Sequence, residues 1–239
     1  MTPIVCMTGG GIKSAAVAAR YAPDHELILL HLDYGQPSAE SERNAAGCLA
    51  GTFPAARVLA LDLPHVGQLH ESLNESGSFD SAGSSLAAGH SIPALRGLFP
   101  VLVSVAAQCA ARLGASAVAT GISRLIDASH LGLPAAGAGQ PDRLREFLHA
   151  FDIMVETLAP QRTGVRVESP LMDLTYAEVI QLAQRFHVPL DKLRTCRTAA
   201  RRPCGRCESC TARAAAFLAA KLVDPLVHAQ KAAATPART

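Results

Sequence analysis

Tryptophan is absent from the 239-residue chain, and only 4% of its residues are aromatic. So few rings exclude a stacking platform for single-stranded nucleic acid, which lays successive bases on successive aromatic faces. Neither charge is in surplus: 22 Lys and Arg stand against 20 Asp and Glu, a formal net charge of +2. That balance argues neither for nor against nucleic acid. No basic face or added RNA-binding segment is evident either, so no such partner is expected. No apolar run approaches the ~18 residues of a membrane span, so no membrane partner is expected. The chain does not open on a basic segment followed by an apolar stretch, and a cytoplasmic location is expected. No internal repeat is visible.

What remains is ordinary globular material: 49% hydrophobic and 18% charged residues. A chain of 239 residues builds one large α/β domain, or one domain with a small appendage. Seven cysteines in a reducing compartment are not read as disulfides. Cys6, Cys48 and Cys109 lie in apolar surroundings and are expected in the core. Cys196, Cys204, Cys207 and Cys210 cluster late in the chain.

The stretch that organises the chain comes first. An apolar run over 4–7 reads as a buried strand, and an alanine-rich run over 14–21 reads as a helix. Gly9, Gly10 and Gly11 join them. Such a turn leaves backbone N–H groups at a helix N-terminus, an anion site suited to phosphate. Thr8 and Ser14 add hydroxyls, and Lys13 adds a positive charge. A tight strand–helix turn without a ligand is the alternative. Position favours the ligand, because the first turn of an alternating α/β chain is where nucleotides collect. A Walker A loop requires glycine where Ile12 stands, and a Rossmann fingerprint requires a third glycine that does not follow.

Further apolar runs predict strands over 26–33, 56–63, 117–122 and 165–168. Helices are predicted over 40–51 with Ser38 as N-cap, 99–113 closed by Gly114, 142–159, and 211–223. Thr175 and Glu178 form a capping box that opens another helix, ending near 186. Asp173 and Thr175 are expected to serve that cap only. Strands alternating with helices predict an α/β fold with a doubly wound, mostly parallel sheet. Irregular stretches over 67–90, read as a loop or lid, and 123–141 interrupt it. The tail from 229 onward is expected to fray.

The four late cysteines have the spacing C-x7-C-x2-C-x2-C. Gly205 allows a tight knuckle between two of them. Four sulfurs without a nearby histidine fit a closed tetrahedral Zn²⁺ site of structural type. An iron–sulfur cluster and a redox dithiol are the alternatives. Arg197, Arg201, Arg202 and Arg206 surround the cluster and would offset its negative charge or meet an anionic substrate.

These residues carry a family resemblance. Thr195-Cys196, followed by Cys204-Gly-Arg-Cys-Glu-Ser-Cys210 and the run to Phe217, resembles the C-terminal zinc segment of the 7-cyano-7-deazaguanine synthases. His31-Leu-Asp-Tyr-Gly-Gln36, Ser169-Pro-Leu-Met-Asp-Leu-Thr175 and Val188-Pro-Leu190 are similar to that family's motifs and stand in its order. Gly9 to Ser14 resembles the pyrophosphate loop S-G-G-x-D-S of the N-type ATP pyrophosphatases, with Gly9 for Ser and Lys13 for Asp.

The resemblance implies an ATP-pyrophosphatase-type α/β domain over 1–190, a helical zinc segment over 191–225 and a tail over 226–239. It implies a homodimer with structural Zn²⁺, Mg²⁺, and ATP as co-substrate. The implied substrates are a 7-deazaguanine carboxylate and ammonia. The carboxylate is adenylated, ammonia makes the amide, and a second activation dehydrates it to the nitrile. Carried over by position, Thr8, Gly9, Gly10, Gly11, Ile12, Lys13, Ser14, Leu32, Asp33, Tyr34 and Gly121 would bind ATP, with Ile122 closing the crevice. Arg96, Arg124 and Asp127 would meet the substrate, and Lys13, Ser14 and Arg96 would be catalytic.

Other positions depart from the family pattern. Ile92-Pro-Ala-Leu-Arg-Gly97 has an extra residue and no Asn. Pro37 and Ser38 stand where the family has a basic residue. Gln140-Pro-Asp-Arg-Leu-Arg-Glu-Phe147 lacks the family's Cys. Framework motifs are kept while pocket-facing ones drift. That pattern also suits a relative that stops at the amide, or one that hands the acyl group to another acceptor such as a protein amine. A non-catalytic nucleotide-binding module is the reading from outside the enzymes.

Overall fold

Short apolar runs that alternate with helical ones can pair in parallel, because each intervening helix carries the chain back across the sheet. The computed structural model describes residues 1–66, 68, 98–123, 141–158, 164–198 and 202–226. Its elements run β1 (Thr2–Met7), α1 (Ile12–Tyr21), β2 (His25–Asp33), α2 (Ala39–Ala50), β3 (Ala56–Asp62) and α3 (Leu98–Arg112). There follow β4 (Ala117–Ala119), α4 (Pro141–Leu158), β5 (Arg166–Glu168), α5 (Tyr176–Arg185) and α6 (Glu208–Ala219). The sheet order is β3-β2-β1-β4-β5, and every pairing is parallel.

Successive strand residues face opposite sides, so the continuous apolar runs supply two cores. Ile4, Cys6, Leu27 and Leu29 pack with α1 and with Val179, Ile180, Ala216 and Phe217 of α5 and α6. Val5, Ile28, Leu30 and Val118 face the other way, onto Ala106, Ala107 and Ala110 of α3. Leu148 and Phe151 of α4 join Val103, Ile122 and Val167 beside them. Helices therefore cover both faces, as a doubly wound sheet requires.

α1 is buried all round: Ala15, Ala16, Val17, Ala18 and Ala19 are at most 1% exposed. Small side chains let this helix lie close to the strands on one side and α5 on the other. Two helix ends follow the sequence signals closely. Gly114 takes φ +65°, and the Ala115 N–H donates to the Ala110 carbonyl at 2.9 Å, closing α3. Thr175 caps α5 in a full capping box: Glu178 N–H donates to Thr175 Oγ1, and Thr175 N–H donates to Glu178 Oε2.

Other expectations need correction. Ser38 stands before α2 but does not cap it. Its backbone is in the right-handed helical region (φ −90°, ψ 0°), and its hydroxyl donates to Glu42 Oε1 at 2.6 Å. Asp173 takes no part in capping α5; it pairs with Arg145 of α4. β4 is only three residues long, shorter than the 117–122 run suggested. The last helix begins at Glu208 rather than 211, because Cys207 already takes the extended N-cap conformation (φ −68°, ψ 156°). Cys6 is core, and burial pushes its thiol up to about 12, but Cys48 is exposed on α2 and Cys109 only half-buried. Most of the 67–90 and 123–141 stretches and the tail lie outside the described residues.

One buried ion pair ties the C-terminal elements together. Arg213 of α6 is 4% exposed. Its Nε and Nη2 donate to the two carboxylate oxygens of Asp224, both at 2.7 Å. Nη1 and Nη2 also donate to the carbonyls of Leu193 and Leu190, at 2.7 and 3.0 Å. The planar fork of arginine satisfies four acceptors at once, which a lysine cannot do. Removing one partner strands a charge in the interior, so Asp224→Ala should cost about 3–5 kcal/mol in denaturant unfolding. Arg213→Met with Asp224→Leu should cost less than that single change.

Candidate active site

The chain leaves β1 for β2 on one side, and returns through α3 to β4 on the other side of β1. The connections diverge there, opening a crevice above the strand C-termini at the switch point. A cavity of about 410 Å³ occupies it. The N-terminus of α1 opens onto this cavity. Gly11 takes the N-cap position in extended conformation, no side chain caps the helix, and no acidic residue sits in its first turn. The backbone N–H groups and helix dipole thus face the cavity with Lys13 alongside, an arrangement that favours an anion.

The loop is held from several directions. Thr8 N–H donates to the Leu30 carbonyl at 2.7 Å, and Thr8 Oγ1 to the Cys6 carbonyl at 3.1 Å. Ser14 Oγ donates to the Gly11 carbonyl at 3.0 Å. The Gly10 carbonyl accepts from the Arg194 N–H at 3.0 Å. Gly10 has φ +65°, and a Cβ there would come within 2.8 Å of Glu42 Cα. Gly121 approaches α1 closely, though less so: a Cβ on it would lie 3.1 Å from the Ser14 backbone nitrogen and 3.2 Å from Lys13 Cβ.

Thr8, Gly9, Gly11, Ile12, Lys13, Ser14, Leu32, Tyr34 and Gly121 all line the cavity. Gly10 and Asp33 do not. Gly10 packs against α2, and Asp33 accepts from Gly35 N–H and pairs with Arg43 at 3.3 Å. Arg96, Arg124 and Asp127 lie outside the described residues.

Several lining residues escaped the sequence reading, among them Glu42, Thr120, Tyr176, Thr195 and Ser209. Glu42 is the most consequential. Its Oε1 accepts from Ser38 Oγ at 2.6 Å, and its Oε2 from Gln36 Nε2 at 3.0 Å. Gln36 also donates to the Leu32 carbonyl and accepts from Tyr34 N–H. The Asp-Tyr-Gly-Gln motif is therefore a knot that fastens the end of β2 to α2. Burial, reinforced by Glu42 and opposed by Arg197, pushes the Tyr34 phenol up to about 12, so it stays protonated at neutral pH. Buried His31 sits beneath, with Nδ1 3.4 Å from the Thr8 carbonyl oxygen and 4.0 Å from Glu42 Oε2.

The four late cysteines adjoin the cavity without lining it. Their sulfurs all lie within 4.8 Å of one another. Cys204 N–H donates to Cys196 Sγ, and Cys207 N–H to Cys204 Sγ, each at 3.3 Å. Gly205 supplies the left-handed knuckle at φ +73°. Burial opposes ionisation of Cys196, but hydrogen bonds from Thr198 and Cys204 outweigh it and lower that thiol to about 6. Burial and the neighbouring sulfurs drive Cys210 upward instead. Four thiols this close cannot all ionise unaided, and a bound dication removes the conflict. The set therefore suits a metal ion. Thr195 and Ser209, which precede Cys196 and Cys210, line the cavity, and Thr195 Cγ2 lies 3.5 Å from where a Cβ on Gly11 would sit.

A doubly wound parallel sheet, a helix N-terminus suited to an anion at its switch point and an adjoining four-sulfur knot that could hold a metal ion define the class of this α/β protein. The chain belongs to the QueC family, described as queuosine biosynthesis protein QueC, whose family model matches residues 3–221. It is 30% identical to a 7-cyano-7-deazaguanine synthase of Acidobacterium capsulatum, covering 97% of this chain and all (100%) of that one. Proteins of the same name from Methanospirillum hungatei JF-1 and a Nitratiruptor species are 29% and 25% identical. Those two matches cover 94% and 95% of this chain, and 98% and 99% of theirs. A solved chain described as a predicted subunit of tRNA methyltransferase from Methanocaldococcus jannaschii overlaps at TM-score 0.46 and 14% identity, over 77% of this chain and 76% of that one. That likeness is too partial to bear on fold or function.

The two loop glycines separate cleanly by experiment. Gly10→Ala should cost about 1–2 kcal/mol for the left-handed backbone alone, and more for its contact with Glu42. A Cβ on Gly9 meets nothing within 4 Å, so Gly9→Ala should stay within about 0.5 kcal/mol. Urea melts of the two variants check the contrast.

Proposed function

We propose that the protein is an ATP-dependent ligase that converts 7-carboxy-7-deazaguanine, with ammonia, to 7-cyano-7-deazaguanine. The observation that carries this is the family match over residues 3–221, which spans both the crevice loop and the four-cysteine knot. The chemistry runs in two activations. The substrate carboxylate attacks the α-phosphorus of ATP, and pyrophosphate leaves. Ammonia displaces AMP from the acyl-adenylate to give the amide. A second ATP activates the amide oxygen, and loss of that oxygen with AMP and of two protons leaves the nitrile.

In this reading the loop from Thr8 to Ser14 binds the triphosphate, with Leu32 and Tyr34 beside the adenosine and Gly121 and Ile122 closing the crevice. A fixed set of donors lowers the barrier by meeting charge as it develops on pyrophosphate. Lys13 adds a cation where the related loops carry an acid. Mg²⁺, when bound with ATP, would neutralise further phosphate charge. Asp33 would support the site from outside, and Arg96, Arg124 and Asp127 complete the proposed substrate contacts. The four cysteines would hold a structural Zn²⁺, which needs four thiolates and no open position. A cytoplasmic homodimer belongs to the same reading, with the α/β domain over 1–190, the zinc segment over 191–225 and the tail beyond.

Mass spectrometry of the protein incubated with 7-carboxy-7-deazaguanine, ATP and ammonia should show the nitrile, with pyrophosphate released. No pyrophosphate release would sink the enzymatic reading. Accumulation of amide alone would mark a relative that stops after one activation. Lys13→Asp should shift the amide-to-nitrile ratio if Lys13 governs the second step, and an unchanged ratio removes that role. Metal analysis should find about one zinc per chain. Chelation should lower the melting temperature on the order of 10 °C, and a metal-free, fully stable protein would overturn the assignment.

A further inference from the structure

We propose that Tyr176 is a positioning residue that holds Lys13 over the crevice as a built-in cation for the nucleotide phosphates. The role rests on the ATP-dependent reading above. Lys13 sits in the first turn of α1, where the helix dipole disfavours a positive charge and no acidic neighbour in that turn offsets it. Helix stability therefore does not explain its placement. Lys13 Nζ instead lies over the Tyr176 ring, 5.2 Å from its centroid, and both residues line the cavity. That distance is within the range at which a ring face attracts an ammonium.

Both ends of this contact are fixed by the fold. Tyr176 is the first residue of α5, directly behind the Thr175–Glu178 capping box, and its ring packs partly into the core beside α1. On the other side, Gly121 comes so near that its absent Cβ would stand 3.2 Å from Lys13 Cβ. The lysine stem thus lies between Gly121, just past β4, and Tyr176 of α5.

The electrostatics of the cavity agree. Among the described residues that line it, Lys13 and Glu42 are the charged ones. Glu42 already accepts hydrogen bonds on both carboxylate oxygens, from Ser38 and Gln36. Lys13 is therefore the cationic side chain among the described lining residues. A loop with its own cation needs less help from a dissolved metal, so nucleotide binding here should be only weakly dependent on Mg²⁺. The contact runs through the ring face, so phenylalanine, which keeps the ring, is the conservative replacement.

The test measures ATP affinity of the zinc-loaded full chain, with Mg²⁺ and in magnesium-free buffer without chelator. Native protein, Tyr176→Phe, Tyr176→Leu, Lys13→Met and the Leu/Met double variant are compared. Folding of each is checked by circular dichroism. Native protein and Tyr176→Phe should agree within about twofold. Tyr176→Leu should weaken binding about 3- to 10-fold, most in magnesium-free buffer. In the Lys13→Met background the leucine change should add less than about twofold. An equal loss from Tyr176→Leu with and without Lys13 would show a merely structural tyrosine and overturn the proposal. So would native affinity in Tyr176→Leu. Failure of the native protein to bind ATP under either condition would instead overturn the ligase reading itself, and this inference with it.

Discussion

The crevice depends on how closely α1 lies against its neighbours. A helix N-terminus binds an anion only if it is delivered, uncapped, to the open edge of a sheet. Here the delivery requires alanines along α1, glycine at 10 against α2, and glycine at 121 against the first turn of α1. At Gly10 the steric demand is backbone against backbone, so no rotamer change would relieve it. Close packing of this helix and openness of the site above it are one constraint.

The C-terminal segment is part of the same assembly. Its backbone N–H at Arg194 holds the Gly10 carbonyl, and Thr195 lines the cavity beside the first cysteine. Arg213 and Asp224 lock the stretch around Leu190 and Leu193 from behind. A metal ion bound by the four sulfurs would thus set the position of a segment whose next residues touch the glycine loop. Stability of the knot and shape of the crevice are linked through the adjacent residues Thr195 and Cys196.

The polar groups of the site divide between its two sides. His31 and Glu42 lie on the α2 side, joined to the Asp-Tyr-Gly-Gln knot, with Glu42 spoken for by neutral donors. Lys13 lies on the α5 side, over an aromatic ring. A ligand entering between them meets the uncapped helix N-terminus and, among the described lining residues, the Lys13 cation. That is the preorganisation an adenylating site exploits.

The alternation of apolar runs, the triple glycine and the cysteine spacing by themselves determined the class of fold, the phosphate-type turn and the sulfur cluster. These are local or periodic properties, set by backbone geometry and short-range chemistry. Helix ends were legible where the capping box or a left-handed glycine marked them, and misplaced where Ser38 and Cys207 behaved otherwise. Tertiary structure alone decided that Glu42 lines the cavity while Asp33 turns to Arg43. It also decided that Gly10 is a packing glycine, and that Tyr176 meets Lys13 across 163 positions of chain (176 minus 13). No periodicity records such a meeting, because it arises only when parallel strands bring distant helix N-termini to one edge of the sheet.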